Sequence, residues 1–466
     1  MGMSVNYLLL AVLGRLLAVL PEFFPAALAR FFGWLVYVLP IRRAVLLANL
    51  HHAFPERPEA WRRKIALESC RRMVEMGLFV LASPYFSEKR IRKMFRADKS
   101  LSEGPAKIDR PGVPAVMLVP HFSLMESLTL IRVVYPELPR DMEVGVFYRP
   151  FGNASLERWV KRTRERFGLR LLSRKEGFGE ANEILRQNGR VAVLFDQHPG
   201  NPGALSVFLN RLVLTSELAG LFAEKHGATS IAFYTERTGF WRGVMKSELV
   251  CDEPRAEAVT TRANAWLEEK MRGDDNLCAD WLWAHKRWKV NDEPRRRFCV
   301  RARRDVLAEN LRSLGLAAAP RNERFWIRLP EEIAAAESAF PLVARLRAAR
   351  FDAEITFLAE ENVAAAARES GLAERVLVLP RDGRRAFFRR LREEYPDTLI
   401  LLTESAAADR EGKLTGVPQR MGMARAGEKR PDLTCCWTIP AELSAKEISS
   451  AQRWEAWWEA WGLPKI

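Results

Sequence analysis

The pattern of apolar and polar positions begins with an apolar N-terminal part. Apolar residues fill most of positions 7–20 and 31–40; Arg15 interrupts the first run, and Pro21 and Pro25 separate the two. Neither run reaches the ~20 uninterrupted apolar residues of a membrane-spanning helix. Residues 1–40 are therefore predicted to form a hydrophobic, membrane-associated helical segment.

Three arrangements of this segment are open. It forms a helix or helical hairpin lying in the inner leaflet, with Arg15 and Arg30 reaching the headgroups. Alternatively it is a single tilted span, or a buried hairpin of a soluble fold. Arg42 and Arg43 follow directly, and the positive-inside rule places them on the cytoplasmic side.

Beyond residue 41 the apolar spacing alternates between helical and strand-like. Helical patterns cover 42–54, 60–82, 124–134, 155–167 and 179–187, and buried-strand runs cover 115–119, 144–148, 191–195, 229–234 and 243–250. Gly168 and Gly189 are expected to end the last two helices. Alternation of this kind predicts an α/β domain over 41–296, with a largely parallel sheet flanked by helices.

A second series follows a polar stretch at 292–297, after a predicted linker at 297–320 that includes a helix. Strands are predicted at 324–329, 352–358, 375–379 and 398–402, and helices at 333–347, 362–370 and 386–394. Pro341 is expected to break or restart the first of these helices. This pattern predicts a second, smaller Rossmann-like α/β module over 321–440.

The end of the chain, 441–466, is predicted to hold a tryptophan-rich helix. Ser444 and Glu447 have the spacing of a capping box. Four tryptophans at i, i+3, i+4 and i+7 form one aromatic face; they are Trp454, Trp457, Trp458 and Trp461. Packing of this face onto the chain's own core is favoured, and anchoring at a membrane interface is the alternative.

Composition and charge narrow the function classes. Of the 466 residues, 48% are hydrophobic and 28% charged, which excludes disordered and fibrous proteins. The net charge is +15, and residues 1–100 alone carry 16 Lys and Arg against 7 Asp and Glu. Such a balance indicates an anionic partner: lipid headgroups, an acidic carrier or nucleic acid. No nucleic-acid motif accompanies it, and six scattered cysteines favour reduced thiols over a disulfide framework or a zinc site.

One candidate motif for acid–base catalysis lies directly after the first buried strand. His121 and Glu126 form an H-x4-E pattern, at the sheet edge where open α/β folds place their sites. A histidine there can accept a proton from a hydroxyl, and a carboxylate one turn further on can hold the imidazole. A capping box between Ser123 and Glu126 is a structural alternative.

Further blocks occur in a fixed order after the following strands. They are residues 148–153 with an arginine-rich helix, residues 195–200, residues 208–210 with Thr215, residues 281–289 and, near the start, residues 49–56. Together over about 5–290 they resemble the lipid A biosynthesis acyltransferases, the late lauroyl and myristoyl transferases of the lysophospholipid acyltransferase superfamily. One position departs from the family's Phe-Phe-Gly: it is Asn210, a residue that tolerates left-handed backbone.

The resemblance implies transfer of a fatty acyl group from acyl carrier protein or acyl-CoA to a hydroxyl of a lipid A-type glycolipid, at the cytoplasmic face of the inner membrane. His121 would be the general base and Glu126 its partner. The resemblance implies no metal and no cofactor. It implies these substrate-binding residues: Arg149, Asn153, Arg166, Asp196 and Gln197.

Structural roles compete with some of these assignments. Asp196 could cap the segment after its strand, and Arg149 could be an ordinary ion-pair partner. His198 and His226 are interpreted as bystanders. His285 is interpreted as packing, together with the tryptophans at 281, 283 and 288. The same acyltransferase chemistry with another phospholipid or glycolipid acceptor, and a non-catalytic glycolipid-binding scaffold, are the alternative functions.

The second module faintly resembles the N-terminal half of the heptosyltransferases, glycosyltransferase family 9, through residues 414–422. It lacks that family's early Gly-Asp, because Pro330, Glu331 and Glu332 occupy the position. Its ~110 residues are too few for both lobes of a nucleotide-sugar cleft. The module is therefore predicted to bind or scaffold rather than to transfer sugars.

Overall fold

A computed structural model describes residues 5–39, 42–200, 203–288, 293–300, 302, 304–444 and 449–463. Two compact units divide the chain. The first comprises Met1–Leu209, Val213–Arg287 and Arg303–Ala317, and the second Asn210–Leu212, Trp288–Ala302 and Ala318–Ile466. Residues 303–317, which the sequence places in a linker, thus belong to the first unit.

Helices and strands alternate along most of the described chain. The helices are α1 (Val5–Val19), α2 (Phe23–Val38), α3 (Arg43–Ala53), α4 (Glu59–Ala82), α5 (Glu88–Met94), α6 (Ile131–Val134), α7 (Ala154–Arg164), α8 (Phe178–Arg186), α9 (Leu218–His226), α10 (Ala256–Gly273), α11 (Asp275–Asp280), α12 (Pro294–Arg297), α13 (Leu307–Ser313), α14 (Ile333–Glu337), α15 (Phe340–Ala349), α16 (Ala364–Glu369), α17 (Arg384–Arg390), α18 (Ala406–Leu414), α19 (Ala441–Ser444) and α20 (Ser450–Ala460). The strands are β1 (Phe95–Ala97), β2 (Ala115–Val119), β3 (Val144–Tyr148), β4 (Arg170–Ser173), β5 (Arg190–Leu194), β6 (Ala204–Phe208), β7 (Arg211–Thr215), β8 (Thr229–Gly239), β9 (Arg242–Cys251), β10 (Arg304–Asp305), β11 (Glu323–Arg328), β12 (Ala353–Ala359), β13 (Arg375–Val378), β14 (Thr398–Leu401), β15 (Gln419–Ala424) and β16 (Cys435–Thr438).

The first unit is built on a seven-stranded mixed sheet in the order β1-β9-β8-β2-β5-β3-β4. The pairs β2–β5, β2–β8, β3–β5 and β3–β4 are parallel, and β8–β9 is antiparallel. Every residue of β2 is buried, which explains its uninterrupted apolar run. The predicted mixed α/β class and the strands at 115–119 and 144–148 are confirmed.

Some elements of the first unit differ from the prediction. The short strands β6 and β7, which lie with β10 in a separate three-stranded sheet, and the long helix α10 were not predicted. The helix expected at 124–134 is a 3-10 helix over Met125–Leu130 followed by α6. The residue with left-handed φ after α8 is Asn188 (58°), not Gly189.

The N-terminal helices α1 and α2 pack on α4 through small residues. A Cβ on Gly14 would lie 2.3 Å from the Leu81 carbonyl oxygen, and one on Gly33 would lie 2.4 Å from the Arg71 Cα. Large apolar side chains point outward and are exposed: Leu8, Leu9, Val12, Leu13, Leu16, Val19, Phe23, Phe24, Leu28, Phe31, Phe32, Trp34, Val38 and Leu39. No single helix in the described chain is long and apolar enough to cross a membrane; 7–19 and 23–38 satisfy that criterion only as a pair bent by 116°.

The second unit contains a six-stranded sheet in the order β13-β12-β11-β14-β15-β16. All its strand pairs are parallel. Numbered from its first strand this is the order 3-2-1-4-5-6 of a Rossmann-like sheet, and apolar cores cover it on both faces. The predicted doubly wound module is confirmed, and Pro341 lies in the first turn of α15 as expected for a helix restart.

The tryptophan-rich helix α20 packs within the second unit. Its four predicted tryptophans are at most 7% exposed, and Trp458 and Trp461 contact the Phe298 ring, with centroids 4.8 and 5.6 Å apart. The favoured prediction, packing on the chain's own core, is confirmed. The capping box differs: Ser449 and Gln452 form it, and Glu447 lies outside the described residues.

Candidate active site

Three parallel strands of the first unit end at one edge of the sheet. Val119 of β2 is in register with Leu194 of β5, and β3 pairs with β5 on its other side. Parallel neighbours bring their carboxyl ends together. This arrangement gathers three residues that follow these strands: His121, Arg149 and Asp196.

His121 and Asp196 form a hydrogen-bonded dyad. The His121 Nδ1 lies 2.6 Å from Asp196 Oδ1, and the His121 backbone N–H donates to Oδ2 at 2.8 Å. The indole Nε1 of Trp281 donates to the same Oδ2 at 2.7 Å. Because Asp196 is 1% exposed, these bonds hold the carboxylate in one orientation.

Electrostatics keep this carboxylate ionised. Burial acts to raise the pKa of Asp196, but the charge of His121 and the N–H donors of His121 and Trp281 outweigh it, so the pKa lies below its usual value. An ionised Asp196 accepts a hydrogen bond, and Nδ1 of His121 therefore donates it. The remaining ring nitrogen, Nε2, is then the one available as a base.

The predicted partnership of His121 with Glu126 is corrected by the structure. Glu126 accepts two hydrogen bonds from Arg164, at 2.5 Å from Nε and 2.9 Å from Nη2. The capping-box alternative is not formed either, because the Ser123 hydroxyl donates to Asp280. The 3-10 winding of residues 125–130 gives Glu126 a different direction from the one that an α-helix would impose.

A cleft of about 310 Å³ opens at this edge of the sheet. Much of its wall is apolar, formed by Val119, Met125, Leu128, Val146, Phe147, Tyr148, Leu171, Val193, Leu194 and Leu218. Polar and charged residues complete it: His121, Glu126, Arg149, Arg164, Arg174, Gln197 and His198. The cleft can therefore hold an apolar chain beside a polar, anionic group.

The predicted substrate-binding residues separate into two groups. Arg149 and Gln197 line the cleft. Asn153 is instead the N-cap of α7, and its Oδ1 accepts from the backbone N–H groups of residues 155 and 156. Arg166 donates to the carbonyls of Pro84 and Phe86. Neither Asn153 nor Arg166 is among the described residues that line the cleft, and their part in substrate binding stays a prediction.

Several contributors to the site differ from the expectation from sequence. Trp281 is expected to pack in the core, yet its indole N–H also donates to Asp196. His198 lines the cleft, and its backbone N–H donates to His285 Nε2 at 3.1 Å. Burial lowers the pKa of His285 to about 4, so this imidazole is neutral and can accept. The aromatic and basic residues at 281–289 stand out in the sequence, but only the fold shows that this segment lies beside residues 196–198.

Two further observations concern the chemistry of the site. Asn210 has a φ of 62°, so the expectation that asparagine can replace the family's glycine at this turn is confirmed. Within the described ranges, no group of three or more His, Cys, Asp or Glu side chains could hold a metal ion.

A family model of bacterial lipid A biosynthesis acyltransferases matches residues 3–290. The chain belongs to this family. Its membership assigns the protein to the transferases and agrees with the resemblance carried by the ordered blocks. No curated protein matches this acyltransferase-family chain.

Solved structures give distant matches. E. coli ADP-heptose LPS heptosyltransferase II is 20% identical over 26% of this family member and 36% of the other chain, with a TM-score of 0.24. A glycosyl transferase family 9 protein of Veillonella parvula DSM 2008 is 16% identical over 31% and 42%, with a TM-score of 0.27. The acyltransferase-family chain thus spans less than half of either structure.

Proposed function

We propose that the protein transfers a fatty acyl group from an acyl thioester to a hydroxyl of a lipid A-type glycolipid. One observation carries the proposal: the His121–Asp196 dyad lies beside a cleft with a largely apolar wall. A base held by a buried carboxylate suits activation of a hydroxyl. The apolar wall suits a fatty acyl chain.

The proposed reaction needs only this chain's own residues. Nε2 of His121 accepts the proton of the acceptor hydroxyl while the hydroxyl oxygen attacks the thioester carbonyl carbon. The new C–O bond forms, the C–S bond breaks, and the imidazolium returns the proton to the leaving thiolate. Asp196 keeps Nε2 available and stabilises the imidazolium. Arg149 lines the cleft, where a cation would stabilise a substrate phosphate or the carbonyl oxyanion.

Positive charge around the cleft supports an anionic donor carrier or acceptor. Arg149 and Arg174 line the cleft and are exposed, and α7 exposes Arg158, Lys161 and Arg162. Among the described residues, these five cations have no salt bridge to a carboxylate, whereas many other arginines of the chain do. Acyl carrier protein, a strongly acidic donor, and a phosphorylated glycolipid both fit this field; acyl-CoA is the other donor of this class.

The exposed apolar faces of α1 and α2 support association with the membrane. Thirteen large apolar side chains of these helices are exposed, far more than scattered surface residues explain. Arg15 and Arg30 extend from these helices, and Arg42 follows them. We propose that the two helices lie in the cytoplasmic leaflet of the inner membrane, where the glycolipid acceptor is embedded.

Alternative acceptors share this chemistry. A glycerophospholipid or a mannosylated inositol lipid would use the same dyad. A non-catalytic scaffold is disfavoured, because a scaffold has no need of a buried carboxylate held on a histidine. The second unit, whose sequence lacks the Gly-Asp of the heptosyltransferases, is proposed to bind or scaffold.

The test is an assay of the purified full chain in lipid vesicles. Acyl carrier protein loaded with a fatty acyl group is offered with a lipid A precursor, with phosphatidylglycerol or with a mannosylated inositol lipid, and the products are identified by mass spectrometry. We expect one added acyl chain on the lipid A precursor alone. Acylation of another lipid alone would replace the acceptor, and no acylation of any lipid would contradict the proposal.

A further inference from the structure

A segment of the first unit, residues 280–285, passes beside the dyad and contacts Asp196 and two nearby residues, Phe122 and His198. Trp281 donates its indole N–H to Asp196, and a bridge of β type joins Trp281 to Phe122, the residue after His121. Four residues further on, His285 accepts from the backbone N–H of His198. We refer to residues 280–285 as the strap.

The strap is itself held from a distant part of the sequence. Asn49 of α3 is 6% exposed, and its side-chain amide donates to the carbonyls of Trp283 and His285, each at 2.9 Å. The Ser69 hydroxyl of α4 donates to the Trp281 carbonyl at 2.9 Å. These bonds are buried or partly buried, so loss of either donor would weaken the attachment of the strap to α3 and α4.

The carboxylate of Asp196 depends on the strap for its orientation. Oδ1 accepts a hydrogen bond from the His121 imidazole, and Oδ2 accepts from the His121 backbone N–H and from the Trp281 indole. Without the indole N–H, both remaining bonds to the carboxylate would come from His121 itself, and Asp196 would lose its attachment to the strap. Its negative charge would also be less dispersed, which favours the protonated form of the neighbouring base.

We infer that Trp281 and Asn49 are positioning residues of the dyad: Trp281 orients Asp196 directly, and Asn49 locks the strap that carries Trp281. The inference rests on the proposed function, since it requires a reaction in which His121 acts as a base. Neither residue is expected to touch substrate, and neither is among the described residues that line the cleft.

The experiment compares Trp281→Phe with Trp266→Phe in the full chain. Trp266 is also buried and donates its indole N–H to a carboxylate, Glu248, at 2.9 Å, so the two changes remove the same type of bond. We expect Trp281→Phe to lower kcat by about 10- to 100-fold with little change in KM, since one bond to a buried charge is lost. The acid limb of its kcat/KM profile should move to higher pH. Trp266→Phe should leave kcat and the pH profile of kcat/KM unchanged.

A double-mutant cycle separates orientation from stability. In an Asp196→Asn background, Trp281→Phe should have little further effect, because the carboxylate on which it acts is already absent. An equal loss in both backgrounds, or an unshifted pH profile, would overturn the inference. If Trp281→Phe does not fold, Asn49→Ala is measured by the same cycle and must show the same dependence on Asp196.

Failure of this inference and failure of the proposed function give different results. If the unaltered chain has no acyl transfer activity, the proposed function is wrong. If the unaltered chain is active, and Trp281→Phe behaves like Trp266→Phe, the reaction stands and only the role of the strap is wrong.

Discussion

Nδ1 of His121 lies 2.6 Å from Oδ1 of Asp196, although the two residues are 75 positions apart in the sequence. The contact exists because β2 and β5 are parallel neighbours whose last residues are in register. A carboxylate at Nδ1 leaves Nε2 as the base, and this division of the ring nitrogens is the basis of the first two predictions.

Replacement of His121 by alanine should reduce acyl transfer on the order of 10²- to 10⁴-fold, because the general base is lost. The measurement is the initial rate with acyl carrier protein and the acceptor in vesicles. His226→Ala is the matched control, since His226 is a histidine of the same unit whose Nε2 contacts Asn182 rather than a carboxylate. Near-normal turnover of His121→Ala would contradict the mechanism.

Replacement of Asp196 by asparagine should lower both activity and stability, with a defined pH dependence. The pKa of Asp196 lies below its usual value in the folded chain, so its charged form favours folding. This contribution is present above the ordinary pKa of ~3.9 and is lost as pH falls through the lower, folded value. Urea unfolding should therefore give a difference in the free energy of unfolding between wild type and variant that is smaller at acidic pH than at neutral pH. A difference that grows on acidification would contradict the lowered pKa of Asp196.

Glu126 should act through Arg164 and not through His121. Removal of Glu126 would leave the Arg164 guanidinium without this carboxylate at the cleft wall, so Glu126→Gln should cost less activity than Asp196→Asn. Glu126→Gln and Arg164→Met should be non-additive, since they disrupt one pair. The pH profile of Glu126→Gln should match wild type, and a shift like that of a dyad variant would restore Glu126 as the imidazole's partner.

The apolar face of α1 and α2 should control binding to membranes. Serine at Leu9, Val12, Phe31 and Trp34, which are 64%, 54%, 56% and 47% exposed, should release much of the protein from anionic vesicles. The release should be greater at high salt, where the remaining electrostatic attraction is screened. Alanine at the exposed Phe351 of the second unit is the control. Full sedimentation of the serine variant with vesicles in high salt would place the anchor elsewhere.

The second module should be dispensable for acyl transfer if the first unit is kept whole. β10 pairs with β6, and Asn310 of α13 accepts from the Val207 backbone N–H, so residues 303–317 contribute to the first unit. A chain that ends at residue 317 should retain activity, and one that ends at 296 should be less stable by thermal unfolding. A folded, inactive chain ending at 317 would show that the second module contributes to the reaction.

The sequence determined the elements whose signal is local. Strands β2 and β3 were predicted at their observed bounds, because strands buried in parallel sheets appear as short apolar runs. The second unit followed from the same alternation. His121 was found because a histidine directly after a buried strand lies at the functional edge, and the ordered blocks identified the family.

Tertiary structure alone decided which side chains meet. Glu126 is near His121 in sequence but pairs with Arg164, and Asp196 is far away but reaches Nδ1. Trp281 lies 85 positions beyond Asp196 and completes its bonds. Asn153 and Arg166 stand in the expected blocks, yet their side chains are used by a helix cap and by backbone carbonyls. Periodicity reports the face on which a side chain lies, whereas strand order and register determine its partner, and those depend on contacts between distant segments.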